Sequence, residues 1–387
     1  MGSLINSLCS TLSEPTALSA SLWLILMTLF LVVAVGVHIL FWGWYYRRGQ
    51  LDGERHWVKA SDGWRIALER HLCPEGVERV GVALCCPGLA CNGRIFHLRE
   101  DVSFTRGLQE QGYEVWIIHP RGTGPSERPI GRGEWGYGHS DYLKDGIAAL
   151  RYVYREAGEA PLWIGHSMGG LIGYEVAGIA PNKLRGLVTL GTPTDLSHHT
   201  ISPFYFFLFK YFCRGLDTAY LGKLSTLVSP WAGWIPSLTP KPLFVNHELL
   251  PADALRVFLA QAIEDTPRQL LDEFVDAVCG HGPLSEEGWL RYKWLLANLQ
   301  VPIFAVMSDR DGLAPLEVTT AIKRWGPEGL LETLELTGFG HGELGVSLPA
   351  RERLPHEVAR WASSSTRRRI RKRPYLGPPQ RGSELNG

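Results

Sequence analysis

The chain has 387 residues, 45% of them hydrophobic and 20% charged, which is the composition of a folded globular protein with an ample core. Lysine plus arginine and aspartate plus glutamate each number 39, so the net charge indicates nothing about partners. The seven cysteines are odd in number and show neither a Cys-x-x-Cys pair nor metal-ligand spacing. They argue against a disulfide framework and favour a reduced, cytosol-facing domain, with Cys85 and Cys86 as small core residues.

A membrane-spanning helix is predicted first, over residues 22–46, after an N-terminal segment of residues 1–21. The stretch is almost wholly apolar and long enough to cross a hydrocarbon core of roughly 30 Å. Residues 1–21 carry no lysine or arginine, and the apolar run ends in bulky aromatic residues, which favours an uncleaved anchor over a cleavable signal peptide. Arg47 and Arg48 follow the run, so the distribution of positive charge predicts a single-pass protein with its main domain in the cytosol.

Beyond the anchor, short apolar strands alternate with helices, which predicts a mostly parallel sheet covered on both faces. Two alternating strands about a Ser-Asp-Gly turn come first, in residues 57–70. Further strands are predicted over residues 80–86, 114–119, 186–191, 302–308 and 331–337, and helices over residues 104–111 and 142–157. The sheet is thereby divided between a first part, residues 57–194, and a second part, residues 301–362. Sites in such sheets form at the carboxyl ends of the strands.

Residues 195–300 break this alternation and are predicted to form a helical cap, or lid, over the carboxyl edge. Residues 201–212 are intensely aromatic, and residues 253–262 and 268–279 have the spacing of amphipathic helices. An apolar cap favours an apolar substrate, held in an acyl-binding tunnel or reached at the membrane surface. The alternative for any single aromatic residue here is plain cap core.

A serine stands at the tip of a predicted tight turn. Residues 162–170 read Leu-Trp-Ile-Gly-His-Ser-Met-Gly-Gly, and residues 171–177 resume with helical spacing. The pattern Gly-x-Ser-x-Gly alone is weak evidence, but a strand before it and a helix after it are typical of a nucleophile elbow, here with Ser167 at its tip. Gly165 and Gly169 leave room for the close backbone packing that such an elbow needs. An ordinary turn is the alternative.

A serine hydroxyl needs an adjacent base that is itself held by an acid, and later strand ends supply both. His341 lies between glycines after the last strand and is assigned as general base and then acid, the alternative being a structural loop histidine. Asp311 follows the preceding strand and is assigned as the orienting carboxylate, with Asp309 as the main alternative and Asp195 as a lesser one. The order Ser167, Asp311, His341 is the one associated with this elbow.

An oxyanion hole is predicted from two backbone N–H groups, because turn geometry fixes their direction. One belongs to Met168, the residue after the nucleophile. The other belongs to the loop of residues 87–90, called the oxyanion loop below, where Leu89 is the first choice and Ala90 the second. Gly88 would keep this loop close to the serine, although an ordinary strand-exit turn is the alternative.

The remaining histidines suggest no further chemistry. His166 is interpreted as an elbow residue that packs behind the serine. His198 and His199 would suggest a metal, but no third ligand stands at a suitable spacing. Neither a metal nor a cofactor is therefore expected.

These motifs, in this order, resemble the α/β-hydrolase superfamily. The resemblance runs from Trp57 to Trp361. Within the superfamily the chain is similar to acid-lipase-like and monoglyceride-lipase-like carboxylester hydrolases. It resembles polyhydroxyalkanoate synthases more distantly, and their nucleophile is cysteine. The resemblance is carried by Pro87-Gly88-Leu89, Arg121-Gly122-Thr123-Gly124-Pro125-Ser126, Gly-His-Ser-Met-Gly-Gly of residues 165–170, Asp311 with Pro315, and Gly-His341-Gly. The family usually has a histidine where this chain has Pro87, and that histidine normally supports the oxyanion loop.

The resemblance implies an α/β-hydrolase fold with an inserted cap. Together with the predicted anchor, it suggests a membrane-anchored serine hydrolase that cleaves carboxylic esters with apolar acyl groups through an acyl-enzyme. Two alternatives remain open: an acyltransferase that uses the same acyl-enzyme, and a catalytically silent binding module. Family membership does not identify the substrate.

Residues 363–387 are predicted to be a disordered tail. Six of the seven positions from Arg367 to Arg373 are basic, and a Pro/Gly-rich end follows. The tail either solubilises the chain or is attracted to anionic lipid on the cytosolic leaflet. No nucleic-acid partner is expected for a chain that is anchored in a membrane.

Overall fold

The computed structural model describes residues 17–47, 53–131, 134–195, 216–234, 249–278 and 286–365. Its first element is helix α1 (Ala17–Tyr45), in which an 18-residue stretch within residues 20–45 has a mean hydropathy of 2.8. This one helix of the described residues is long and apolar enough to cross a membrane, a property that an anchor shares with a signal sequence. Of the predicted N-terminal segment, residues 1–16 lie outside the described residues.

An eight-stranded sheet forms the centre of the fold, in the order β1-β2-β4-β3-β5-β6-β9-β10. All neighbours pair in parallel except β1 with β2 and β2 with β4. A separate antiparallel pair, β7 with β8, lies in the insertion between β6 and β9. The strands of the described residues are β1 (Glu54–Lys59), β2 (Arg65–His71), β3 (Gly81–Cys86), β4 (Tyr113–His119), β5 (Leu162–His166), β6 (Gly186–Leu190), β7 (Thr218–Ala219), β8 (Thr266–Pro267), β9 (Ile303–Ser308) and β10 (Leu331–Leu336).

The sheet confirms the predicted strands to within a few residues. The turn at Ser61-Asp62-Gly63 joins β1 and β2 as an antiparallel pair in which Glu54 lies opposite Arg70. The continuous apolar strands β3 to β6 are buried along their whole length, because helices cover both faces of the sheet. Strand β10 is half-exposed since it is an edge strand.

Helices cover both faces of the sheet, because successive side chains of each strand point to opposite faces and each set is buried. Leu84 and Trp163 point into a core shared with α3, α4, α8 and α10, whereas Ala83 and Leu162 point into a core shared with α2, α6 and α12. The helices after α1 are α2 (Phe104–Glu110), α3 (His139–Ala157), α4 (Met168–Ile179), α5 (Leu221–Val228), α6 (Ala252–Gln261), α7 (Arg268–Val278), α8 (Glu286–Ala297), α9 (Leu316–Thr319), α10 (Ile322–Trp325), α11 (Leu348–Glu352) and α12 (Leu354–Ser365).

Helices α5 to α8 fall within the range predicted as the cap. Helices α6 and α7 match the two amphipathic helices that the sequence predicts there. Helix α8 instead joins a core layer: its Tyr292 and Leu296 are buried, and the Tyr292 ring packs edge-on against Tyr174 of α4. The aromatic run of residues 201–212 lies outside the described residues.

The end of α1 packs on this insertion. The His38 ring stacks on Trp231 with centroids 5.1 Å apart, and His38 Nε2 donates to the carbonyl of Leu227. Gln261 Nε2, at the end of α6, donates to the carbonyl of Gly43 over 2.7 Å. Residues 22–33 of α1 are exposed along their whole length.

The last described element, α12, continues to Ser365, so the first three residues of the predicted tail are helical. Trp361 is buried and stacks on Phe304 of β9, which fixes the helix to the sheet. Residues 366–387, including the basic run, lie outside the described residues.

Candidate active site

Ser167 lies at a sharp turn between β5 and α4. Strand β5 ends at His166 and α4 begins at Met168, which confirms the predicted strand, turn and helix. Ser167 has φ 53° and ψ −120°, a backbone conformation that non-glycine residues rarely adopt. Its backbone N–H donates to the carbonyl of Leu190, which ties the turn to the end of β6. Strain of this kind is characteristic of a functional turn.

Glycines make the elbow possible. A Cβ at Gly165 would overlap the backbone of Gly169, and a Cβ at Gly169 would overlap the carbonyl of Cys86. A Cβ at Gly88 would lie 2.9 Å from the Cβ of Ser167. The oxyanion loop therefore lies directly against the elbow, as the sequence predicts for Gly88.

His341 and Asp311 form a buried pair. His341 Nδ1 donates to Asp311 Oδ2 over 2.7 Å, and the two residues are only 5% and 3% exposed. Asp311 Oδ1 accepts the backbone N–H groups of Leu313 and Ala314, so the carboxylate is held on both oxygens. Because Nδ1 carries the proton in the hydrogen bond to Asp311, Nε2 is the ring nitrogen of His341 that can accept a proton from another group.

The alternative acids lie elsewhere. Asp309 is exposed, and its carboxylate accepts the backbone N–H of Gly338 over 2.7 Å. The backbone N–H of Asp195 donates to the carbonyl of Val318. The structure therefore brings Asp311, rather than either of these, to His341.

The loop that carries His341 is held beside the elbow by His166. His166 Nε2 donates to the carbonyl of His341 over 2.9 Å, and the two rings lie 4.7 Å apart. Burial, aided by the neighbouring His341, lowers the pKa of His166 to about 3, so this ring stays neutral. These contacts support the interpretation of His166 as a residue that packs behind the serine. The described hydrogen bonds of His341 join it to Asp311 and His166, and a catalytic hydrogen bond between serine and histidine often tightens only when substrate binds.

Two further residues of the site escape prediction from the sequence. Gly191 follows β6 with φ 56°, and a Cβ there would lie 3.0 Å from Asp311 Oδ2 and 3.3 Å from His341 Nδ1. Thr192 Oγ1 donates to the carbonyl of Ser167 over 3.1 Å. Their only signal is a Gly-Thr pair at the carboxyl end of a strand.

The predicted oxyanion donors lie on the two elements that meet at the serine. Met168 is the first residue of α4, where backbone N–H groups have no partner within the helix. Leu89 lies in the oxyanion loop, between Gly88 at the elbow and Ala90, which has φ 58°. A non-glycine residue in this left-handed region costs roughly 1–2 kcal/mol, so other contacts must hold the loop in place.

Metal-ligating side chains and thiols are the other groups of this chain that could carry chemistry. No group of three or more metal-ligating side chains occurs among the described residues, and His198 and His199 lie outside them. Cys85 and Cys86 are buried in the sheet, as the sequence predicts, and burial raises the pKa of both thiols. Burial likewise raises the pKa of the Cys91 thiol to about 12. These thiols are core residues and not nucleophiles.

The fold has counterparts among known proteins. A family model for the alpha/beta hydrolase fold matches residues 82–341, about two thirds of the chain. No curated protein sequence matches the chain significantly.

Several solved structures share the fold. A monoacylglycerol lipase from Paleococcus ferrophilus superposes with a TM-score of 0.52 at 18% identity, over 78% of this chain and 99% of the lipase. An esterase from Exiguobacterium antarcticum gives 0.54 at 15% identity, over 80% and 100% of the two chains. A soluble variant of the monoglyceride lipase from Saccharomyces cerevisiae, in complex with a substrate analogue, gives 0.55 at 16% identity, over 82% and 97%.

Proposed function

The chain belongs to the alpha/beta hydrolase fold family, and from that premise we propose that it is a serine hydrolase. Ser167 is the nucleophile, His341 the general base and then acid, and Asp311 the carboxylate that orients the histidine. The observation that carries the proposal is the buried pair of His341 and Asp311, hydrogen-bonded over 2.7 Å at the same strand edge as the strained serine.

The proposed reaction is acyl transfer in two halves. Ser167 Oγ attacks the ester carbonyl carbon while His341 Nε2 takes the hydroxyl proton, and Asp311 stabilises the imidazolium that results. The backbone N–H groups of Leu89 and Met168 stabilise the negative oxygen of the tetrahedral intermediate.

The bond to the leaving alcohol then breaks, and His341 delivers its proton to the departing oxygen. An acyl-enzyme on Ser167 remains. Water, deprotonated by His341, attacks this ester; the bond between the acyl carbon and Ser167 Oγ then breaks, His341 returns the proton to Oγ, and the free acid leaves. No cofactor enters either half.

We infer an apolar acyl group as the substrate class, together with attachment of the chain to a membrane through α1. Two of the structural relatives are lipases of monoacylglycerols or monoglycerides. The exposed apolar length of α1 and the two arginines after it favour an anchor with the catalytic domain on the cytosolic side. Such a protein would take ester substrates from, or close to, a lipid surface.

Labelling by a fluorophosphonate tests the activated serine. The wild-type protein, purified in detergent, is expected to be labelled, whereas Ser167→Ala and His341→Ala should lose labelling because one lacks the nucleophile and the other its base. His356→Ala is the matched control, since His356 is exposed on α12. Circular dichroism shows whether each variant is folded. A folded wild type that resists the probe would contradict the proposal and favour a silent binding module.

A further inference from the structure

The oxyanion loop is held by the cap. The backbone N–H of Glu264 donates to the carbonyl of Ala90 over 2.8 Å, and the backbone N–H of Asn92 donates to the carbonyl of Ala262 over 2.9 Å. Cys91 and Ile263 form the bridge between these two bonds. The strained residue of the loop, Ala90, is thus paired like a residue of a short antiparallel ladder.

Side chains reinforce this ladder. Asn92 Nδ2 donates to Glu264 Oε1 over 2.7 Å and to the carbonyl of Gln261 over 2.8 Å. Asn92 Oδ1 accepts the backbone N–H of Arg94, so both ends of the amide are bonded. Asn92 is 2% exposed and Glu264 is 8% exposed, which makes these bonds inaccessible to competing water.

Glu264 also joins a second loop to the first. Its Oε1 accepts the backbone N–H of Gly124 over 2.6 Å, and its Oε2 accepts Arg128 Nη2 over 3.0 Å. Gly124 belongs to the loop that follows β4, the strand beside β3 in the sheet. One carboxylate from the cap therefore fixes two neighbouring loops at the carboxyl edge. Bonds to a charged acceptor are stronger than neutral ones, and removing the acceptor leaves buried donors unpaired.

We propose that Asn92 and Glu264 are positioning residues that hold the oxyanion loop in its reactive conformation. The inference rests on the proposed function, because it assigns Leu89 as an oxyanion donor. Neither side chain touches the substrate; both act through the loop that carries the donor.

Kinetics with a soluble short-chain ester provides the first test, on the full-length protein in detergent. Glu264→Ala and Asn92→Ala are expected to lower kcat by roughly 10- to 100-fold with KM changed by less than about threefold, because a displaced donor loses transition-state stabilisation alone. Affinity for a trifluoromethyl ketone, which forms a tetrahedral adduct with the serine, should fall by a similar factor. Glu264→Gln keeps one acceptor oxygen and is expected to recover part of kcat.

The matched control is Lys223→Ala. The exposed Lys223 side chain makes an ion pair with Asp265, the residue after Glu264, so its loss perturbs the same cap segment without reaching the loop. This variant should keep both kcat and the affinity for the ketone.

Hydrogen exchange provides a second readout that needs no activity. Peptides that cover residues 87–96 should exchange faster in Glu264→Ala than in the wild type or in Lys223→Ala. The positioning role is overturned if the exchange of these peptides stays at the wild-type level. It is also overturned if folded variants change KM by as large a factor as kcat. If the wild type hydrolyses no ester, the proposed function fails, and the exchange result still decides whether Asn92 and Glu264 hold the loop.

Discussion

The choice between two neighbouring aspartates illustrates what a single residue's environment decides. Asp309 and Asp311 share a loop after β9, and the sequence leaves both open as the triad acid. The loop turns Asp311 inwards, where its Oδ1 accepts the N–H groups of Leu313 and Ala314 and its Oδ2 faces His341. Asp309 stays at the surface. Although the two aspartates are only two positions apart, Asp311 is buried and Asp309 is exposed.

Substitution of the two aspartates separates their roles. Asp311→Asn is expected to lower kcat by roughly 10³- to 10⁴-fold, because an amide would favour the wrong histidine tautomer and would not stabilise the imidazolium. Asp309→Asn should change kcat by less than about threefold, since the amide oxygen still accepts the N–H of Gly338. Both variants are measured with a soluble ester and checked by circular dichroism. Equal losses in the two variants would contradict the assignment of Asp311.

Local patterns predict the elbow but not the contacts around it. Ser167 is identified because the strand, turn and helix that place it are continuous in sequence. Gly191 is not identified from the sequence. A side chain at this position would crowd Asp311 and His341, and both lie more than a hundred residues further along the chain. Only the folded sheet brings these residues together.

At the scale of elements, the strands of the central sheet and helices such as α2, α6 and α7 are predictable because burial imposes their periodicity, whereas α5 and α9 to α12 are not predicted. The start of α3 is an exception. The apolar pattern predicts Tyr142 as its start, whereas the helix begins at His139, since the Asp141 carboxylate accepts the backbone N–H of Gly138 and supports an earlier turn. Helix α8 also lacks a clear pattern, because Tyr292 and Leu296 are its only described side chains that are fully buried.

The early start of α3 creates a pH-dependent contact with α4. His139 Nε2 donates to Glu175 Oε1 over 2.8 Å. Burial opposes the charged imidazole, but hydrogen bonding and attraction to Glu175 outweigh it and raise the pKa of His139 above its usual value of about 6.5. A raised folded-state pKa stabilises the fold fully below the unfolded-state pKa, and this stabilisation is lost as the pH rises through the folded-state value.

The variant His139→Gln should therefore be less stable than the wild type near pH 6, by at most about 1 kcal/mol because the pair is partly exposed. The difference should shrink as the pH is raised towards 9. Thermal unfolding of both proteins across this range provides the measurement, with His356→Gln as a control at an exposed site. A gap between His139→Gln and the wild type that stays constant with pH would show that the imidazole charge contributes nothing.

At the scale of the whole molecule, the packing of α1 on the cap brings the site close to the proposed membrane. A span needs about 20 residues to cross roughly 30 Å of hydrocarbon, but the unbroken exposed stretch of α1 covers only residues 20–33. The span that we propose would therefore extend into the part of α1 that contacts α5 and α6. Gln261 bonds α1 at one end of this contact, and the backbone carbonyl of the same residue bonds Asn92 beside the oxyanion loop. Sequence patterns cannot reveal this arrangement, because the contacting segments lie more than 180 residues apart.

The cap surface next to α1 is apolar, as contact with lipid requires. Leu224, Val228 and Trp231 are exposed on it, and Trp234 is 78% exposed. We expect Trp234→Asp to lower hydrolysis of an ester embedded in vesicles by about tenfold, because a charged side chain would replace an aromatic one at the lipid interface. Hydrolysis of a soluble short-chain ester should be unchanged, since Trp234 is not one of the proposed catalytic residues.

The embedded ester and the soluble ester are both measured with the full-length protein. Comparing their rates separates an effect on contact with lipid from an effect on the hydrolysis reaction itself. Ile179→Asp is the matched control: Ile179 is exposed at the end of α4, and α4 begins at Met168, directly after Ser167, and runs away from the carboxyl edge for twelve residues. An aspartate there should affect neither substrate. If Trp234→Asp lowers hydrolysis of both substrates equally, the residue supports the fold of the cap and not its contact with lipid. If it lowers neither, the cap does not reach the bilayer, and α1 holds the catalytic domain at a distance from it.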